Sequence, residues 1–311
     1  MELLIKLFSI TVFASTLRIA TPVILASLGG CMSERSGVIN IGLEGMMLMG
    51  AFSAVVGSWF FGAWTGLLLG VLTGGLMGLL HAFMSVTLKA NQIISATAIN
   101  IMAVGLPNIL IPVIWENHYG ISPTVPVIAD INLPLISSIP IIGDIIGHQN
   151  PIVYIALLLV PLISFLLFKT KLGLRIRAVG EHPLAADTLG INVYRMRYIA
   201  VTISGLLAGL GGAFLSIAYQ SQFSSAMTAG RGFIGLAAMI FGRWSPKGAL
   251  LACLLFGFAD AFQASAQSAG VPIPPEIMLS FPYVLTLVAL VGLFGKIALS
   301  PAANGKPYYK G

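Results

Sequence analysis

About nine apolar stretches separated by short polar breaks divide the chain: Leu7–Leu28, Gly37–Val56, Thr65–Met84, Ile93–Ile114, Ile152–Phe168, Tyr198–Tyr219, Phe233–Phe241, Ala249–Gln267 and Ile277–Leu293. Most approach the roughly twenty residues that carry a helix across the hydrocarbon of a bilayer, where only a helix or a closed barrel satisfies its own backbone. Phe233–Phe241 is too short to cross alone and predicts a partial passage. The strict polar–apolar alternation of a barrel strand is missing. The pattern therefore predicts an all-α polytopic membrane protein of about nine transmembrane or partial transmembrane helices, with residues 1–311 as one transmembrane domain.

The breaks differ in charge, and the difference sets direction. Lys169–Arg197 holds six of the sixteen Lys and Arg residues, and Arg35, Lys89, Arg243 and Lys247 mark other breaks. Short loops rich in Lys and Arg stay in the cytoplasm, so residues 169–197 are expected there. Residues 115–150 instead carry Glu116, Asp130 and Asp144 without Lys or Arg, and prolines at 123, 126, 134 and 140. That loop is expected outside, as a cap of short pieces over the bundle, with a docking surface for an external protein as the sharper alternative. The run Trp59–Trp64 reads as an interfacial aromatic belt. Segment one, apolar apart from Arg18, is expected to end at Gly29–Gly30, with Ser33–Ser36 as an inner turn and segment two starting near Gly37. The amino terminus then lies outside and the carboxyl terminus inside.

Composition narrows the function classes. The chain is 57% hydrophobic and 8% charged, against about a quarter charged in a soluble domain, so a soluble fold is excluded and lipid is its solvent. The formal charge of +6 belongs to inward-facing loops, and no nucleic-acid partner is expected. Cys31 and Cys253 lack metal-ligand spacing and read as small packing residues. Glu2 and Lys6 make a weak leader, and no cleavable signal is evident. His81, His118, His148 and His182 are scattered, and neither a Walker loop nor a zinc motif occurs, so no catalytic residue and no metal ligand is assigned.

Two features inside the apolar stretches suggest function. Gly66, Gly70, Gly74 and Gly78 form a ladder on one helical face, which allows close helix packing. Asn40, Glu44, Arg231 and Asp260 are polar groups at membrane depth, where an unpaired charge costs about 2.5–3.5 kcal/mol and so must face the bundle interior. On a helix beginning near Gly37, Glu44 would lie roughly 10 Å in, with Asn40 on the same face and Arg231 as a partner for either acid. These four residues are candidates for a translocation path, with a purely structural ion pair as the alternative. Gly42–Gly50 is echoed by Gly235–Gly242, and each is followed by a glycine-rich helix, which suggests an inverted repeat with the path between its halves.

Three blocks, Ser33–Phe52, Leu172–Ile217 and Gly230–Phe262, resemble the bacterial ABC-importer permeases of the branched-chain amino acid and monosaccharide superfamily, and within it the second permease of nucleoside or simple-sugar importers. The resemblance implies a subunit that is itself no enzyme and holds no cofactor, ATP and Mg being bound by a double-cassette ATPase. It implies a second, non-identical permease, an extracytoplasmic substrate-binding lipoprotein and a place in the bacterial inner membrane. Nucleosides lead as substrate, then simple sugars, then branched-chain amino acids; a stand-alone secondary transporter is the rival. Ala185–Gly190 matches the Ala-Ala-xxx-Gly core of the family's coupling helix, with Leu184 where an acid is usual. The resemblance thus gives Glu181, His182, Ala185, Ala186, Asp187 and Gly190 the role of engaging the ATPase. Pro183 suits the start of that helix and Gly190 its end.

Overall fold

A computed structural model describes residues 10–140, 142–270, 274, 280, 284 and 300–310, so Glu2, Lys6 and almost all of Ile277–Leu293 lie outside the described residues. The helices are α1 (Ile10–Glu34), α2 (Leu43–Phe61), α3 (Ala63–Ala82), α4 (Gln92–Ile114), α5 (Pro134–Ser137), α6 (Ile142–Ile146), α7 (Pro151–Lys169), α8 (Lys171–Glu181), α9 (Pro183–Thr188), α10 (Val193–Phe214), α11 (Arg231–Phe241) and α12 (Pro246–Ser268). Among the described residues, seven helices are long and apolar enough to cross a membrane, and α11 is a shorter apolar helix. The all-α polytopic class is therefore correct. The strands described are two-residue pieces, β1 (Ile131–Asn132) antiparallel to β2 (His148–Gln149), within the acidic loop beside α5 and α6.

Local chemistry explains where the helices begin and end. Asn91 accepts the amides of Ile93 and Ile94 at 2.9 and 3.3 Å, and the side chains of Asn150, Thr170 and Asn192 cap α7, α8 and α10 in the same way. Turns of π-helix, Phe83–Thr87 and Leu215–Tyr219, close α3 and α10. α1, α2 and α10 are largely buried, whereas α3, α4 and α7 turn Leu72, Leu76, Ile101, Ile109, Leu158 and Phe165 outward, as lipid-facing helices do.

The structure corrects three boundaries. α1 does not stop at Gly29–Gly30 but runs to Glu34, because both glycines are buried where a Cβ would strike the Ser204 carbonyl oxygen or Met239. α2 starts at Leu43, not near Gly37. Residues 35–42 are non-helical, turned at Gly37 with φ +87°, and held by bonds from the Ser33 hydroxyl to Val38 O (2.7 Å) and from the Ile39 amide to the Gln92 side chain (2.8 Å). Irregular backbone among membrane helices survives only where protein or water satisfies it, as here. α10 begins at Val193 rather than Tyr198, which draws Arg195 and Arg197 into the helix.

The polar breaks sort to two ends of the bundle. Arg35 donates to Trp244 O (3.0 Å) and Arg243 O (3.2 Å), Lys89 lies 4.1 Å over the Tyr309 ring, and the Arg197 guanidinium donates to Lys306 O (3.0 Å). The basic turns, α8, α9 and the carboxyl-terminal residues thus meet at one end. Opposite them, Trp59 stands edge-on to Trp115 at 6.2 Å, Ser58 bonds to Pro126 O, and Arg18 pairs with Asp130 at 3.4 Å.

At the centre, three backbones touch. A Cβ at Gly74 would come within 2.5 Å of Gly205 O and Gly209 Cα, one at Gly70 within 2.7 Å of Gly50 O, and one at Gly50 within 2.6 Å of Gly209 Cα. Gly78 faces Val201 and Gly205, and Gly66 faces Ala54 and Ser58. α3 is therefore seated without side chains between α2 and α10.

Candidate functional site

Inside the bundle two helices begin head to head. α11 runs beside α1, with Gly235 against Ala26 and Ser27 and the Trp244 indole donating to Glu34 at 2.6 Å. Its first turn is thus about twelve residues, or roughly 18 Å, from the basic end, in the middle of the bundle. α2 begins beside it and runs to the opposite end. A Cβ at Gly232 would lie 2.5 Å from the Glu44 amide nitrogen, so the two first turns are in direct contact. Both present amides without intrahelical partners and the positive end of a helix dipole.

Glu44 answers that charge. Its carboxylate accepts the Gly230 amide at 2.8 Å and the Gly232 amide at 2.7 Å. Gly230 adopts φ +80°, which turns its N–H toward the carboxylate at low steric cost. Glu44 is therefore in the first turn of α2 rather than about two turns in, and it binds backbone rather than Arg231. The Arg231 guanidinium donates instead to Met227 O and Thr228 O at 3.2 and 3.3 Å. Asp260, half-buried on α12, lies within electrostatic reach of Arg231 without an ion pair to it. Asn40 precedes the helix and so does not share its face with Glu44. It is buried and donates to the Ser204 hydroxyl at 3.0 Å. Asn100, which the sequence did not single out, fixes the junction by accepting the Gly45 amide (2.8 Å) and donating to Ile41 O (3.2 Å).

Ser221–Gly230 links the end of α10 to this junction as irregular chain, with positive φ at Ser221 and Ala229. Its Ser225 hydroxyl donates to Asn108 on α4, and both Asn108 and Ala229 are exposed. The exposed Asn108 side chain, a polar group among the outward-facing Val104, Leu106 and Ile109 of α4, suits water better than lipid. The junction can thus offer neutral hydrogen-bonding groups, with its carboxylate already committed to backbone.

At the basic end, α9 is a short helix with Pro183 in its first turn and Gly190 at φ +79° beyond its end. Ala186 is buried, while Glu181, His182, Ala185 and Gly190 are exposed and Asp187 is half-buried. The Ala186 amide bonds to His182 O at 3.0 Å and the Gly190 amide to Asp187 O at 2.8 Å. Leu184 and Leu189 on the same knob are 62% and 81% exposed, beside charged groups rather than lipid-facing helices. Burial lowers the pKa of Arg35, whose guanidinium stacks on Phe168 with that of Arg177 at 5.6 and 5.1 Å.

Comparison with known proteins gives the class to which this bundle belongs. The family described as branched-chain amino acid transport system / permease component matches residues 12–290. The chain belongs to that family. It is 44% identical to the guanosine ABC transporter permease protein NupQ of Bacillus subtilis, with 99% of each chain covered. It is 43% identical to the nucleoside ABC transporter permease protein NupC of Lactococcus lactis, with 96% of each covered. A second Bacillus subtilis protein, the guanosine ABC transporter permease protein NupP, is 30% identical over 91% of this chain and 83% of its own. No solved structure matches.

Proposed function

We propose that this chain is one of two permease subunits of an ATP-driven nucleoside importer in the bacterial inner membrane. The similarity to NupQ over 99% of both chains carries the reading. Similarity to a second guanosine permease of the same organism supports a partner subunit of similar fold. The gathering of basic loops at one end supports a cytoplasmic position for α8 and α9. There α9, through Glu181, His182, Ala185, Ala186, Asp187 and Gly190, meets a double-cassette ATPase that binds ATP and Mg. The substrate arrives from a lipoprotein at the opposite, acidic end. It passes the junction of α2 and α11, where Asn40, Glu44, Arg231 and Asp260 shape the path. The wall toward the partner permease is α4 with residues 224–231, whose neutral amides and hydroxyls suit the uncharged edges of a nucleoside.

Reconstituting the chain with a second permease, a double-cassette ATPase and a substrate-binding lipoprotein from its own source tests this reading. ATP-dependent guanosine uptake is expected, competed by other nucleosides. Competition by glucose or leucine instead would reassign the substrate. Uptake that persists without ATP under a proton gradient would replace the importer with a secondary transporter.

A further inference from the structure

The carboxyl-terminal residues after the last apolar stretch carry Lys306 and Lys310. In the structure, residues 301–309 are bound to the basic end at every step. The Ala302 amide donates to Glu181 at 3.1 Å and the Ala303 amide to Gly180 O at 2.9 Å, so the tail begins on the turn from α8 to α9. The Asn304 side chain donates to Glu34 at 3.0 Å and the Gly305 amide to Gly37 O at 3.2 Å. Lys306 O accepts from the fully buried Arg197, whose Nε also reaches Ser36 O at 3.3 Å. Tyr308 is buried against Tyr194, ring centroids 5.4 Å apart, with its hydroxyl within electrostatic reach of Asp187 on α9. Between this irregular segment and α9 lies a groove of about 400 Å³, walled by Glu181, His182 and Leu184 on one side and Lys306, Tyr308 and Tyr309 on the other.

The second link is Glu34. One oxygen of its carboxylate accepts both the Asn304 amide (3.0 Å) and the Trp244 indole (2.6 Å). Trp244 closes the turn after α11, so the tail is joined through one buried acid to the base of the helix whose tip Glu44 holds. Gly180 packs so closely on the Arg35 carbonyl that α8 has no side chain to yield there. A displacement of α9 would therefore be passed on rather than absorbed.

We propose that residues 301–309 are the second half of the ATPase-engaging surface, and that through Asn304, Glu34 and Trp244 they carry its movement from α9 to α11. This rests on the reading of α9 as the contact for the ATPase. The tail is then a positioning element that makes no contact with substrate. The exposed Leu184 and Tyr309, on opposite walls of the groove at the basic end, mark where the motor subunit seats.

The test uses the complete transporter in proteoliposomes, reading complex yield, ATP hydrolysis and guanosine uptake separately. Asn304→Ala is expected to leave copurification of the ATPase intact while uptake per ATP hydrolysed falls about tenfold, and Asn304→Gln to restore part of it. Wild-type uptake per ATP in assembled Asn304→Ala would overturn the proposal, as would a loss of complex yield with that ratio unchanged. Should Asn304→Ala not assemble, Trp244→Phe serves instead, since it keeps a ring and removes the indole donor to Glu34. Uptake per ATP hydrolysed should fall about tenfold there too, with the ATPase still bound. A wild-type ratio in that variant would refute the link from the tail to α11. Absence of ATP-dependent uptake in the wild-type complex would strike the importer reading instead.

Discussion

Replacing Glu44 with Gln exposes what the mid-bundle junction contributes. The carboxylate takes two amide hydrogens at 2.8 and 2.7 Å, and an amide can take only one of them while turning its own donor toward the other. A hydrogen bond to a charged group contributes about 1.5–3 kcal/mol, and a carboxylate at a partly buried helix start up to about 2 kcal/mol. These overlap, because the amides are themselves the positive end of the dipole, so one bond and the charge together come to about 2–3 kcal/mol rather than their sum. At about 1.4 kcal/mol per decade, the undocked state of the α11 tip gains roughly 30- to 150-fold. Hydrogen exchange in the purified transporter reads this directly: the Gly230 and Gly232 amides should lose protection by that factor, while those of Gly205–Gly209 keep theirs. Glu44→Asp, about 1.5 Å shorter, should fall between wild type and Gln because it cannot reach both amides. Unchanged exchange at Gly230 and Gly232 in Glu44→Gln, with normal uptake, would refute the assignment.

Gly74→Leu should abolish stable insertion, because its Cβ already meets Gly209 and overpacking costs about 1–3 kcal/mol or more, whereas Leu72→Phe on the outer face should be tolerated; melting of the detergent-solubilised protein separates them. Gly190→Val faces open space but forces a branched residue to φ +79°, at about 1–2 kcal/mol, so uptake should fall while insertion remains normal by protease protection. Arg197→Met removes the donors to Ser36 and Lys306, and limited proteolysis should then cut the tail several-fold faster than in wild type. Maleimide labelling from the cytoplasmic side should reach Lys171→Cys and not Asp144→Cys; the reverse pattern would invert the bundle.

Much of the fold was legible because lipid imposes a simple rule on composition. The ranges of α3, α4, α7 and α12 follow the apolar stretches within a few residues, and the partial passage at Phe233–Phe241 is the short helix α11. What could not be read is tertiary. Gly29–Gly30 looks like a helix end, yet those glycines continue α1 because neighbouring helices need their missing side chains. Asn40 and Glu44 have helical spacing, yet the helix starts between them, since residues 35–42 spend their backbone groups on Ser33, His81 and Gln92. Arg231 was the obvious partner for Glu44 by charge, but two amides at a helix start outcompete it at shorter range. Gly50 and Gly209 complete the central contact from other helices, and no local pattern pairs them. Nothing in the sequence marks Asn304 or Glu34, because their link joins residues almost a chain length apart.

The bare contact of α2, α3 and α10 also limits how this molecule can change shape. Where Gly50, Gly74 and Gly209 press main chain on main chain, no rotamer can adjust and no small slide leaves the fit intact, so those three helices must travel as a solid block. On the function proposed above, any alternation that opens the path first to one side and then to the other happens around that block, at the rim carrying α4, α11 and the irregular chain between α10 and α11.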